Sequence, residues 1–189
     1  MPNTTKKALE ASLKKLLADK TLDKITINDL TTDCGISRMS FYYHFKDIYD
    51  LVEWCCVEDG RQALQGKRTY ETWQEGIYQV FEAVIENKSF IQNIYRSIDR
   101  GKVENYLHKL TYQLIADVVE EKCKDIDLPQ EDKTFIADFY KYGFVGVMLD
   151  WIERGMKDDY GKIVEMMSTT LRGSITNSIH NFKDIQSVS

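Results

Sequence analysis

Residues 25–46, ITINDLTTDCGISRMSFYYHFK, hold the chain to two short helices turned about one glycine. Thr26 can cap the first, because its hydroxyl accepts one of the backbone N–H groups that a helix start leaves without a partner. Ile27, Leu30 and Thr31 fall at i, i+3 and i+4 and so share one face. Cys34 continues that face, and Gly35 stands where a left-handed residue ends a helix. Ser37 caps the second helix. Ile36 before that cap and Phe41 inside the helix have the spacing of a hydrophobic staple, and Phe45 faces inward four residues on. These signals place a helix-turn-helix at 26–45.

The outward side of the second helix carries Arg38, Met39, Tyr42, Tyr43 and His44, with no carboxylate from Ser37 to Phe45. A solvated face in a chain of net charge −5 would normally include Asp or Glu. A glycine corner between two helices is by itself equally consistent with a purely structural role. The acid-free face tips the balance toward a recognition helix lying in the DNA major groove. Arg38 is then the candidate base reader, because a guanidinium can make two hydrogen bonds to a guanine edge. An Arg so near a helix N-terminus also opposes the dipole, which a DNA role would explain. Met39 suits a thymine methyl, or simply fills a gap. Asn28, Ser37 and Ser40, on the first turns of the two helices, complete the candidate contacts.

From Ile25 through Leu51 the chain resembles the DNA-binding signature of TetR/AcrR-type bacterial transcription regulators. The likeness rests on the Ile25-Thr26 pair, the short helix ending near Gly35, the Ser37 cap and the ending Phe41-Tyr42-Tyr43-His44-Phe45-Lys46. It departs at Ile48, where that family usually has a second Lys, so Lys46 stands alone as the cation there. The resemblance implies an all-α fold of about nine helices. A three-helix head (1–60) would be joined by helix 4 to a larger dimerisation and effector domain (61–189). It also implies that Thr26, Tyr42, His44 and Lys46 touch the DNA backbone, while Tyr43 occupies a variable position. Backbone contacts fix register without carrying sequence information. A homodimer would place two recognition helices about 34–36 Å apart on a pseudo-palindromic operator.

The remainder reads as helical throughout. Only Pro2 and Pro129 interrupt it, glycines number 10, and alternating β-branched runs are few. The first helix is expected over about 4–18 with Leu9, Leu13, Leu16 and Leu17 inward, and Lys6, Lys7, Lys14 and Lys15 off that stripe. Those lysines serve either solubility or, for Lys6 and Lys7, phosphate contact. Helix 4 is expected from an Asp47 cap to about Gly66. Further helices are expected over 71–87, 89–98, 103–122, 131–156 and 159–182, with a frayed C-terminus. FIADFYKYGFVGVMLDWIERGM carries too many apolar residues for one stripe, so that helix must be buried on two sides. Phe139, Gly143, Phe144, Val147 and Trp151, with Met167, Leu171 and Ile175 from the last helix, are the candidate dimer interface. A large monomeric core is the alternative. The resemblance favours the dimer, since TetR-type regulators pair through their last two helices. YGFVGVMLDWIERGM and NKSFIQNIYRSIDRGKVENYL also resemble one branch of that family, the regulators of dihydroxyacetone-kinase operons.

Charge distribution refines the picture. Residues 1–50 hold 8 Lys and Arg against 7 Asp and Glu, a weakly basic piece on an acidic body. One head alone should therefore bind DNA poorly. Cys34, Cys55, Cys56 and Cys123 form no paired framework or CxxC motif, which suits a reduced, cytoplasmic setting. No stretch reads as a signal peptide or a membrane span. His44, His108 and His180 are scattered, and no catalytic or phosphate-loop motif occurs, so neither an enzyme nor a metal or other cofactor is expected. Trp54, Trp73, Tyr78, Phe81, Phe90, Tyr95, Tyr106 and Tyr112 are either plain core or the lining of an effector pocket. Arg96, Asp99 and Arg100 could take a polar ligand or a protein partner. The branch resemblance implies control of dihydroxyacetone or related metabolism, as an activator with a protein coactivator. A repressor released by a small molecule, or a helical interaction module without DNA binding, are the competing readings.

Overall fold

The computed structural model describes residues 2–64, 69, 71–97 and 100–186. Among these the regular elements are helical: α1 (Pro2–Asp19), a 3₁₀ turn (Leu22–Lys24), α2 (Ile27–Cys34), α3 (Arg38–His44), α4 (Ile48–Ala63) and α5 (Trp73–Glu86). They continue as α6 (Lys88–Ser97), α7 (Arg100–Lys122), α8 (Gln130–Glu153), α9 (Tyr160–Leu171) and α10 (Ser174–Gln186). All nine expected segments are helical, and the last is divided in two. Gly173 takes a left-handed φ of 74°, which no continuing α-helix allows, and the Ser174 hydroxyl closes the end of α9 on the Leu171 carbonyl at 2.8 Å. The segment expected to run to residue 156 stops at Glu153. Gly155 and Met156 are left-handed there, and the Met156 N–H donates back to the Trp151 carbonyl at 2.9 Å, satisfying an end carbonyl that the helix would otherwise leave open. The expected end of helix 4 at Gly66 lies outside the described residues, as do Asp99 and Ser187 to Ser189 at the expected frayed terminus.

The chain packs as two compact units. The first combines Met1–Asp59 with Asn87–Tyr106. Its core gathers Leu9, Leu13 and Leu17 of α1, Leu30 of α2, Phe41 of α3 and Leu51, Val52 and Cys55 of α4. Phe90 and Ile94 of α6 and Val103 and Tyr106 of α7 close it. The Asn93 amide donates to the Leu17 carbonyl at 2.8 Å, supplying a partner at the end of α1. A fully buried Leu or Phe contributes about 1.5–3 kcal/mol, against about 1 for a cap. Phe41 and Phe45 therefore set how α3 lies on the head, and Ser37 sets only where it begins. Ile48 is half-buried against this core, so the position where the family has a second Lys is given over to packing here.

The second unit combines Gly60–Glu86 with Leu107–Ser189. Its interior holds Ile77 and Phe81 of α5, Leu114, Ile115 and Val118 of α7, Phe144, Met148 and Trp151 of α8, Val164 of α9 and Ile179 of α10. The Trp151 indole N–H donates to the Asp158 carbonyl at 3.0 Å while its ring lies 5.0 Å from Phe81. A Tyr140–Ser178 hydroxyl contact at 2.9 Å ties α8 to α10. At Gly60 an added Cβ would land inside the Leu110 side chain, so a glycine is what lets α4 and α7 approach there. The aromatic residues weighed as pocket lining divide between the two units. Trp54, Phe90, Tyr95 and Tyr106 belong to the first core or pack on it, and Trp73 and Phe81 belong to the second. The side chain of Arg100 is outside the described set and Arg96 is exposed. Among the described residues no helix is long and apolar enough to cross a membrane.

Candidate nucleic-acid interface

The three N-caps expected from sequence, Thr26, Ser37 and Asp47, are formed, the last with the Asp50 N–H donating to the Asp47 carboxylate at 2.8 Å. The Thr26 hydroxyl accepts from the Asp29 N–H at 3.1 Å, and the Asp29 carboxylate accepts from the Thr26 N–H at 2.8 Å and from its hydroxyl at 2.7 Å. This reciprocal box was missed in the sequence, although Thr-x-x-Asp ahead of an apolar run is its signal. Hydrogen bonds from the Thr26 backbone and hydroxyl, with Lys20 nearby, hold the Asp29 carboxyl below the usual range. Gly35 ends α2 at φ 66°, and its N–H donates to the Thr31 and Thr32 carbonyls. Ser37 then accepts from the Ser40 N–H at 3.1 Å and starts α3. If Thr26 acts only as a cap, Thr26→Ala will cost about 1 kcal/mol in urea unfolding and affect DNA binding no further. A loss of DNA affinity larger than the loss of folded protein would assign the hydroxyl a phosphate contact as well.

The sequence candidates lie on α2, on α3 and in the residues that flank them, and most are exposed. Thr26, Asn28, Ser37, Arg38, Met39, Tyr42, Tyr43 and Lys46 are exposed, and Ser40 and His44 are half-buried. His44 is flanked by aromatic rings, with Tyr43 edge-on at 4.9 Å and Phe45 at 6.4 Å. The Lys46 N–H is taken by Asp50 at 2.9 Å, which leaves its side chain in solvent at the start of α4. The first-helix lysines are more engaged than their off-stripe positions suggested. Lys6 lies over Phe45 and Trp54 at 5.3 and 5.5 Å, and Lys7 is shared between Trp54 and Glu10. Lys14 is bound to Glu10 and Asp59, and Lys15 to Asp33.

Burial raises all four thiols above their ordinary value. All four cysteines are free. Burial pushes the Cys56 thiol up to about 12 and raises Cys55 further, so both stay protonated at neutral pH. Among the described residues no group of His, Cys, Asp or Glu is arranged to hold a metal ion.

The second unit presents a different kind of surface. Phe135, Phe139, Tyr142, Gly143, Gly146 and Val147 make an exposed strip along α8, and Phe139 is 65% exposed. Between α8 and α9 this strip borders an apolar groove of about 570 Å³, lined in part by Met166, Met167 and Leu171 and floored by Phe144. Three residues expected at the interface are buried inside the unit itself: Phe144, Trp151 and Ile175. With most of the α8 circumference apolar, the inward half is chosen by the helices already packed on it, and these three fall on that half.

The family profile described as a transcriptional regulator C-terminal region of the TetR type matches residues 71–173, more than half of the chain. This chain belongs to the TetR family of transcription regulators. Members of the family bind operator DNA and usually act as dimers, and its relatives are transcription regulators, not enzymes. The chain is 23% identical to the HTH-type dhaKLM operon transcriptional activator DhaS of Lactococcus lactis, over 89% of its own length and 91% of the relative's. It is 26% identical to an uncharacterised HTH-type regulator, YerO of Bacillus subtilis, over 59% of this chain and 43% of that one. Among solved structures, the dihydroxyacetone kinase operon activator DhaS superposes with a TM-score of 0.66 at 21% identity, covering 95% of this chain and 98% of that one. A TetR-family regulator from Streptomyces coelicolor superposes with a TM-score of 0.58 at 11% identity, covering 95% and 88%.

Proposed function

We propose that this TetR-type regulator is a homodimer that reads a pseudo-palindromic operator through α3 and controls genes of dihydroxyacetone or related metabolism. It acts as an activator, together with a protein coactivator. The observation that carries the DNA reading is the exposed face of α3, which presents Arg38, Met39, Tyr42 and Tyr43 without a carboxylate. The dimer is supported by the uncovered strip of α8 and the groove beside it, which together leave an apolar surface for a second copy to cover. Phe139, Gly143, Val147, Met167 and Leu171 are its contact residues, with Phe135, Tyr142 and Met166 added and with Phe144, Trp151 and Ile175 supporting it from inside. The pathway rests on likeness to DhaS along nearly the whole chain.

The test is fluorescence anisotropy of the full chain with duplex DNA from upstream of its own gene and of neighbouring kinase-like genes. Measurements at several salt concentrations should show one saturable site per dimer, with affinity falling steeply as salt rises. Absence of site-specific binding at low salt would sink the operator reading. Co-purification of a dihydroxyacetone-kinase-like protein supports the coactivator. A retained small molecule that releases the DNA points instead to a ligand-controlled repressor.

A further inference from the structure

We propose that Met39 and Tyr43, not Arg38, form the base-reading ridge of α3, and that the group they read is the 5-methyl of thymine. This rests on the operator-binding reading above and adds the chemistry of the contact. Phe41 is fully buried and fixes which side of α3 faces the head. Each helical residue turns the side chain by roughly 100°, so residues four apart stand in columns. Met39 and Tyr43 then straddle the pole opposite Phe41, each roughly 160° from it. Arg38 and Tyr42 lie on one flank and Ser40 and His44 on the other, at roughly 60–100° from Phe41. The ridge side chains are highly exposed, and Arg38 at the start of the helix is exposed as well. Tyr43 is 82% and Met39 78% exposed, Tyr42 is 47%, and Ser40 and His44 are half-buried.

A helix seated in the groove puts its pole deepest and its flanks beside the two phosphate walls. The flank groups are a guanidinium, two hydroxyls and an imidazole, all suited to phosphate oxygens. The ridge is a thioether and a phenol ring. A methionine side chain has no hydrogen to donate and only a weak acceptor, so it cannot tell a guanine edge from an adenine edge. It can pack against the one apolar group that the major groove offers, the thymine methyl. Tyr43 is braced edge-on by His44 at 4.9 Å, which holds a second apolar surface beside the first. In unmethylated DNA the only such methyl is thymine's.

A binding site is first selected with the full chain from a random, unmethylated duplex library. Deoxyuridine then replaces thymine at each selected position, removing the methyl and leaving the hydrogen-bonding edge intact. The wild type should lose roughly three- to tenfold in affinity at one or two positions per half-site. Met39→Ala and Tyr43→Ala should lose a similar factor and respond to uracil less than twofold. Arg38→Ala should bind more weakly and with a shallower salt dependence while keeping the full uracil response. Two results overturn the proposal: a wild type indifferent to uracil at every position, or alanine variants that keep the whole uracil response. If no duplex is enriched at all, the operator reading itself falls and this ridge with it, a result distinct from either.

Discussion

Val147→Glu in α8 should leave the protein monomeric at micromolar concentration and weaken operator binding by roughly a hundredfold or more. Val147 is 39% exposed in the single chain and lies beside the α8–α9 groove, so a carboxylate there is tolerated in the free protomer. Against a second copy it would be desolvated with no partner for its charge. The head explains why the DNA effect should be so large. Residues 1–50 carry a net charge of only +1, so one head neutralises few phosphates and gains little affinity alone. Linking two heads makes the second contact intramolecular, and that advantage vanishes with the dimer. Sedimentation velocity and anisotropy check the two halves separately. A variant that stays dimeric would show that α8 is not the interface. A monomer that binds the operator as tightly as wild type would show that the second head is dispensable. The stability of the protomer itself should change by no more than about 0.5 kcal/mol, as expected of a surface position, apart from the concentration-dependent stabilisation that is lost with the dimer.

The sequence was most legible where structure depends on neighbours along the chain. Thr26, Gly35 and Ser37 each act within three or four residues, so the corner between α2 and α3 follows from local rules, and the inward pair Phe41 and Phe45 follows from spacing. It was least legible where remote segments decide. On α8, Phe139 and Phe144 are the same residue type, yet one is exposed and the other buried. Hydrophobicity cannot choose between them; the helices packed on one side of α8 do. Gly173 escaped notice because the apolar spacing of Ile163, Met167, Leu171 and Ile175 runs through it without a break. Within the first unit, α6 and the first turns of α7 supply Phe90, Ile94, Val103 and Tyr106, the nearest of which lies 27 residues beyond Ala63 at the end of α4. The same limit applies to Glu10. Beside the leucine stripe it reads as a surface residue, but Asp59, distant in sequence, meets it across Lys14.

Lys14→Met should destabilise the first unit by about 2–3 kcal/mol near neutral pH, since the lysine is partly exposed and a fully buried pair would cost more. Its ammonium donates to Glu10 Oε1 at 2.9 Å and to Asp59 Oδ2 at 2.6 Å, and Lys7 reaches the other Glu10 oxygen at 3.0 Å. Glu10 is only 5% exposed. Burial pushes its carboxyl upward, but hydrogen bonds from Lys14 and Lys7 outweigh that and leave it below the ordinary value. Asp59 is held above its ordinary value, mainly by burial and further by Glu10, against the pull of Lys14. Burial opposes the charge on Lys14, and the two carboxylates raise its pKa regardless. Glu10 therefore supports folding above the carboxylate range and loses that support as pH falls through its folded value. Lys14 supports folding up to its own ordinary range and loses that support only as pH rises through its raised value. Asp59 works the other way, favouring the fold when protonated and losing that favour as pH rises. Without the ammonium, the buried Glu10 carboxylate and the partly exposed Asp59 carboxylate face each other at neutral pH, and the deficit should shrink toward about pH 5 as one takes up a proton. Adding Asp59→Asn to the Lys14→Met chain should recover more than half of the loss at about pH 7.5, because Glu10 keeps Lys7 and the amide removes the Asp59 charge that lost Lys14. Urea unfolding of the single and double variants at the two pH values decides the matter. An equal deficit at both, or no recovery with the amide, would mean that Lys14 acts through its ammonium over the Phe90 ring, 5.7 Å from the centroid, and not through the two carboxylates.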